Sequence, residues 1–215
     1  MKKSIFLLLF ILCFTLVSQA QDVSSSRSLW QAISLKPTNF SNIDLGKSGD
    51  LPGYHIGIAY ERLFRPDSHW SWVLPVTFGN YLLSHVITDI EQDGTTWYAT
   101  PGLKYYLKAG NPRKGWSASA NILVGTDKYN YSGYHTNKGH MDKFFYGFLA
   151  SWLYNAPISK TAAFNFELGF GLRNTHYQSV YESFDDIPNI PTQHSVDEWR
   201  FSGIINFSVG ISKWF

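Results

Sequence analysis

The chain has 215 residues, of which 44% are hydrophobic, 17% aromatic and only 16% charged. Such a composition suits one domain with a sizeable core and excludes a disordered chain, while a formal charge of +2 is too small to draw the protein to nucleic acid. The 17 Gly and the 8 Trp, 13 Tyr and 16 Phe favour strands over helices but name no activity.

Residues 1–20 read as a targeting segment. Lys2 and Lys3 precede an unbroken apolar run from Ile5 to Val17, and Ser18-Gln19-Ala20 offers small residues where a signal peptidase reads them, so cleavage is expected after Ala20. The run is shorter than the ~20 residues of a membrane-spanning helix. Cys13 lies inside it and not after a small residue, unlike a lipoprotein acylation site, so the mature chain is expected to lack cysteine and any disulfide or thiolate metal site. Removing Lys2 and Lys3 from the 18 basic residues leaves 16 against 16 acidic ones, a formally neutral exported chain.

Residues 21–28 read as a short leader to the domain at 29–215, where a period of two recurs. A short first strand is expected at 29–35. From Tyr54 onward, Tyr54, Ile56, Ile58 and Tyr60 interleave with His55, Gly57, Ala59 and Glu61, one face apolar and the other small or polar. Weaker copies follow at 70–81, 97–107, 116–126 and 144–154, the last apolar on both faces and thus insecure in register. At 162–177, Phe164, Phe166, Leu168, Phe170 and Leu172 oppose Asn165, Glu167, Gly169, Gly171 and Arg173. In the last strand Phe201, Ile205, Phe207, Val209, Ile211 and Phe215 oppose Ser202, Asn206, Ser208, Gly210 and Ser212. The expected count is eight.

Most of these runs approach the ~9–11 residues with which a tilted strand crosses a bilayer. A membrane barrel turns its apolar face to lipid and lines its lumen with polar residues, the reverse of a soluble ligand-binding barrel. The small and polar second face fits the membrane case, and an eight-stranded interior is only wide enough to be packed with side chains. The expected fold is therefore all-β, an eight-stranded antiparallel up-and-down transmembrane β-barrel. The connections alternate long (36–52, 82–96, 127–143, 178–198) and short (63–69, 108–115, 155–161), so the long loops share one end. Their formal charges sum to −7 for the long set and +4 for the short set. Aromatics near strand ends, Trp30, Trp70, Trp72, Tyr81, Trp97, Tyr98, Trp116, Tyr154, Trp199, Trp214 and Phe215, suggest two girdles at the headgroup level. Pro75 and Pro101 interrupt strands where each removes a ladder donor, and each predicts a bulge or a strand boundary.

The signal segment, the amphipathic strands, the loop alternation and a chain ending in Ile211-Ser212-Lys213-Trp214-Phe215 resemble the small outer-membrane β-barrel superfamily of OmpA-, OmpX- and OmpW-type proteins. The Tyr- and Trp-rich strands and the Gln21-Asp22 start look like Bacteroidetes outer-membrane proteins. The resemblance implies residence in the bacterial outer membrane with both termini periplasmic. It also implies contact with lipid and lipopolysaccharide, and a C-terminal barrel-assembly signal at Phe207, Val209, Ile211 and Phe215 read by the assembly machinery. A monomer is expected, with no nucleic-acid partner and no cofactor.

Chemistry-bearing residues are sparse. His176, Ser179 and Glu182 at the outer end of the seventh strand are the best Ser-His-acid candidates. The lipid A deacylase family, which they faintly resemble, places His and Ser two apart on one strand face, whereas here they are three apart and face opposite ways. No catalytic residue is assigned. His135, His140 and Asp142 lack spacing that would preorganise metal ligands, so no metal site is assigned either. Glu61, Lys104, Glu167, Arg173 and also Arg200 have complementary signs on the inward face and are expected to form a plugging polar network. The expected role is structural or surface-interacting, with long acidic and aromatic external loops and a filled lumen. A small-solute pore is the alternative, and a lipid A-modifying enzyme a second one.

Overall fold

A computed structural model describes residues 30–44, 54–85, 90–108, 111–133, 139–184 and 191–215. Their nine strands are β1 (Gln31–Asp44), β2 (Tyr54–Leu63), β3 (Trp70–His85), β4 (Ile90–Ala99), β5 (Gly102–Tyr106), β6 (Gly115–Gly133), β7 (Gly139–Pro157), β8 (Ala162–Phe184) and β9 (Pro191–Trp214). All pair antiparallel in one sheet, and the sheet closes on itself because β1 pairs with both β2 and β9. The closure is sealed where the last residue meets the first strand: Phe215 N donates to Gln31 O (2.9 Å) and Gln31 N to Phe215 O (3.2 Å). The expected signal segment, residues 1–20, lies outside the described residues.

Paired residues lead around the ring from Ala32 through Glu61, Val73, Gly102, Asn121, Leu149, Gly171 and Ile204 and back to β1 at Asp44. The return point lies twelve residues beyond the start, and two register shifts in the β1–β9 pair, at Leu35/Thr38 and Ser41/Ile43, account for two of them. A closed sheet absorbs such a stagger only by tilting its strands, by roughly 35–45°.

The turns at one end follow local chemistry. In 64–69, Pro66 presets φ at the second position of a turn closed by Ser68 N donating to Arg65 O (3.0 Å). In 158–161, Ser159 Oγ accepts from the amides of Thr161 (3.2 Å) and Ala162 (3.1 Å). Gly115 opens β6 at φ 102°, which a side chain would strain.

Pro101 supplies the expected strand boundary. β4 and β5 both lie between β3 and β6, and the pairs Val76↔Ala99 and Val73↔Gly102 continue one register across the gap. Pro75 lies opposite Thr100, and Pro101 opposite Ile122. Thr100 N donates to Pro75 O (3.0 Å) and Ile122 N to Pro101 O (2.9 Å), while each proline lacks the N–H that would return the second bond. β3 itself runs through Pro75 uninterrupted.

Burial is inverted relative to a soluble domain. On β8, Phe164, Phe166, Leu168, Phe170 and Leu172 are exposed, while Asn165, Glu167 and Arg173 are buried; His55, Ala59 and Glu61 on β2 are likewise buried. Among the described residues, more polar and charged side chains than apolar ones are buried. Parity also settles 144–154: Phe145, Leu149, Ser151 and Leu153 face inward, and Phe144, Tyr146, Phe148 and Trp152 outward.

Two further expectations, besides the interruption at Pro75, need correction. The long connections are mostly strand: β1 reaches Asp44, β6 Gly133, β7 begins at Gly139, β8 reaches Phe184 and β9 begins at Pro191. Outside the described residues at that end are only 45–53, 86–89, 134–138 and 185–190, so the expected long acidic loops are chiefly the upper parts of extended hairpins carrying Glu91, Asp93, Glu182, Asp197 and Glu198. In sequence these stretches lack a regular alternation of apolar and polar residues, which conceals the period-two signal. The girdle assignment also fails for Tyr98 and Trp214. Both point inward and are buried, whereas Trp70, Trp97, Trp116, Trp199 and Phe215 are exposed on the outer face.

Candidate functional site

The inward face carries three clusters. Nearest the short turns, Glu61 of β2 accepts hydrogen bonds from Ser71 Oγ (2.6 Å), Lys104 Nζ (3.1 Å) and the Tyr106 hydroxyl. Lys104 also lies 4.7 Å from the centre of the Tyr106 ring, which packs edge-on against buried Trp214. Each charge is 5% exposed, so the pair holds because every carboxylate oxygen is bonded.

Glu167 of β8 forms a second cluster. It pairs with Lys36 and accepts from Ser208 Oγ (3.2 Å) and Asn206 Nδ2 (3.3 Å). Lys36 is a partner the sequence pattern hides, because it sits in the part of β1 that reads as loop. The expected network is in part redistributed: Glu61 meets Lys104, Glu167 meets Lys36 with Lys104 also within electrostatic reach, and Arg173 lies against Phe145.

The third cluster lies toward the extended ends. Asp127 accepts from Thr96 Oγ1 and from the Tyr129 hydroxyl (3.3 Å). Lys143 lies over the rings of Tyr129 (4.4 Å) and Tyr177 (5.2 Å), Arg173 over Phe145 (5.2 Å) and Arg200 over Tyr177 (5.1 Å). Arg200 pairs with Glu198, with more than a third of each side chain open to solvent, which puts it at the mouth and not in the buried network. Asp127 and Lys143 fall outside the expected network because both sit where 127–143 reads as a loop.

His176, Ser179 and Glu182 do not converge. His176 faces outward, its Nε2 lies 2.5 Å from Asp197 Oδ1, and its ring stacks on Trp199 with centroids 4.6 Å apart. Ser179 is buried on the inner face, and Glu182 is exposed. His140 reaches Asp142 Oδ1 (3.1 Å) and Asn130 Oδ1 (3.0 Å), while His135 lies outside the described residues. Among the described residues no three His, Cys, Asp or Glu side chains are grouped to hold a metal.

Phe207, Val209, Ile211 and Phe215 share the outward face of β9, Phe207 and Phe215 being exposed. That face is continuous with an apolar outer band. Its lower edge carries the Trp116–Tyr154 and Trp70–Tyr105 ring pairs, both with centroids 4.9 Å apart. Its upper edge carries Tyr146 against Trp199 at 5.9 Å, and Asn174 Nδ2 donates to the Tyr146 hydroxyl at 3.0 Å. Aromatic rings at both edges of an apolar band are the arrangement a bilayer interface selects.

No protein-family model and no curated protein sequence matches the chain. The solved structures that share its fold include two outer-membrane proteins. Ail, the attachment invasion locus protein of Yersinia pestis, is 12% identical with a TM-score of 0.52, covering 87% of this chain and 99% of its own. A major outer membrane protein from Thermus thermophilus is 11% identical with a TM-score of 0.56, covering 88% of this chain and 100% of its own. The chain is thus an all-β, ring-closed antiparallel sheet with the fold of outer-membrane β-barrel proteins.

Proposed function

We propose that the protein is an eight-stranded transmembrane barrel of the small OmpX-like kind, seated in a bacterial outer membrane, with a structural or surface-interaction role. In this reading β4 and β5 are two halves of one strand broken at Pro101, which makes eight positions in the ring. The reading is supported by their shared partners and continuous register. The observation that carries it is the inverted burial: an apolar outer band around a polar, filled interior. On β8 the band runs from Phe164 to Leu172, about 27 Å along the strand and roughly 20 Å along a tilted barrel's axis, near the ~25 Å height of such bands.

In this reading residues 1–20 direct export, residues 21–28 and the short turns face the periplasm, and the extended hairpins of β6–β9 stand outside the cell. Lipid and lipopolysaccharide surround a monomer, and the outward face ending at Phe215 is what assembly machinery reads. The Tyr- and Trp-rich strands and the Gln21-Asp22 start support a Bacteroidetes origin. The name of the Yersinia neighbour, an attachment protein, supports contact with an external surface, and the protruding acidic and aromatic hairpins are the part that would make it. A non-enzymatic role is supported by His176 and Ser179 facing opposite sides of the wall.

Electrophoresis of unheated and heated samples from fractionated cells tests this. We expect protein in the outer-membrane fraction whose band shifts on heating. A band in the periplasmic fraction that runs alike before and after heating contradicts the reading.

A further inference from the structure

Several strands change character midway along their inner faces. On β6 the inward residues run Ser117, Ser119, Asn121, then Leu123 and Gly125, then Asp127. On β9, Ile204 stands above Asn206 and Ser208; on β4, Tyr98 stands between Thr96 and Thr100. These apolar positions meet: Tyr98, Leu123, Phe145, Leu149 and Ile204, all buried, form one cluster. The Tyr98 and Phe145 rings lie 6.4 Å apart.

Two further side chains stand at this level. His55 of β2 packs edge-on against Tyr98 at 6.4 Å, and Arg173 of β8 covers Phe145. The wall is thinned to make room: a Cβ on Gly125 would lie 2.4 Å from Tyr98 Cβ and 2.7 Å from Phe145 Cζ, and one on Gly79 would lie 1.9 Å from His55 Cδ2. Large inward side chains and inward glycines are thus matched on neighbouring strands, where Gly79 pairs with His55 and Gly125 with both Tyr98 and Phe145.

Below this layer, the Oγ of Ser117 and the Oδ1 atoms of Asn121, Asn165 and Asn206 are buried without a protein partner. Buried polar oxygens of this kind are ordinarily satisfied by water, so the inner compartment is one that water enters. The side chains of Leu123, Phe145, Leu149 and Ile204 offer water no partner, and apolar constrictions block passage by dewetting. Lys104 lies beside Ser119 and Glu167 beside Ser208, so both ion pairs sit within this polar compartment and not in the layer.

We infer that the layer formed by Tyr98, Leu123, Phe145, Leu149 and Ile204 is the seal of the lumen, separating a wet inner chamber from the outer mouth, and that the Glu61–Lys104 and Glu167–Lys36 pairs are not. This rests on the membrane-barrel reading above. The test is single-channel recording of purified protein in a planar bilayer, each variant first shown to give a heat-shifting band. The parent and Glu61→Gln give no resolved current steps, whereas Phe145→Ala and Leu149→Ser each give steps. The inference is overturned by steps from the parent, by steps from Glu61→Gln, or by silence from every folded layer variant, Leu123→Ser included. A parent with no heat-shifting band overturns the barrel reading itself, a failure distinguishable from the others.

Discussion

Glu61 illustrates how single residues hold the interior. Its carboxylate takes three donors in a site where it and Lys104 are nearly inaccessible. Removing one member of a buried pair leaves the other charge uncompensated, which costs about 3–5 kcal/mol, whereas replacing both by apolar groups is often neutral. Glu61→Ala is therefore expected to destabilise the barrel by about that amount in urea titrations in detergent. Glu61→Leu combined with Lys104→Met is expected to recover most of the loss. Equal losses in the single and double variants would show that the pair does not act as a unit. The sequence shows that Glu61 and Lys104 have opposite signs on inner faces, but not that they meet, because pairing across β2, β3 and β5 depends on register. Trp214 is within reach of the pattern: with Ile211 and Phe215 outward, the residue next to Phe215 must point in.

Strands are legible where their two faces differ and illegible where they do not. The alternation in 162–177 marks β8, yet its continuation to Phe184 reads as loop because the sequence there no longer alternates between apolar and polar residues. The same loss of contrast hides the upper ends of β1, β6, β7 and β9, and with them Lys36, Asp127 and Lys143. Proline is a mixed sign: Pro101 marks the boundary between β4 and β5, whereas β3 runs through Pro75. Pro101 lacks one ladder bond to Ile122, worth about 0.5–1.5 kcal/mol, while its ring restricts the unfolded chain by about 0.4–1 kcal/mol. These terms oppose, so Pro101→Val is expected to change stability by less than about 1 kcal/mol and to join β4 to β5. Urea midpoints and amide exchange at residues 100–102 would check it. A loss of several kcal/mol would mean that the interruption is itself required by the fold.

At the scale of the molecule, the low charge fraction and high aromatic content find a place in an apolar outer surface edged by rings, and the polar residues lie within or at the extended ends. This arrangement predicts sidedness. Gln193, exposed on an extended hairpin, and Lys160, exposed in a short turn, lie at opposite ends. Gln193→Cys is expected to react with a membrane-impermeant maleimide on intact cells, and Lys160→Cys only after the outer membrane is permeabilised. The reverse pattern would invert the orientation. The central claim, that the apolar face of each strand meets lipid while the polar face lines a packed lumen, is tested most directly by a nitroxide scan of residues 164–173 in the protein reconstituted into lipid. The account predicts a period of two, with oxygen accessibility high at 164, 166, 168, 170 and 172 and low at the positions between. Accessibility that peaks at the odd positions, or that shows no alternation, would contradict it.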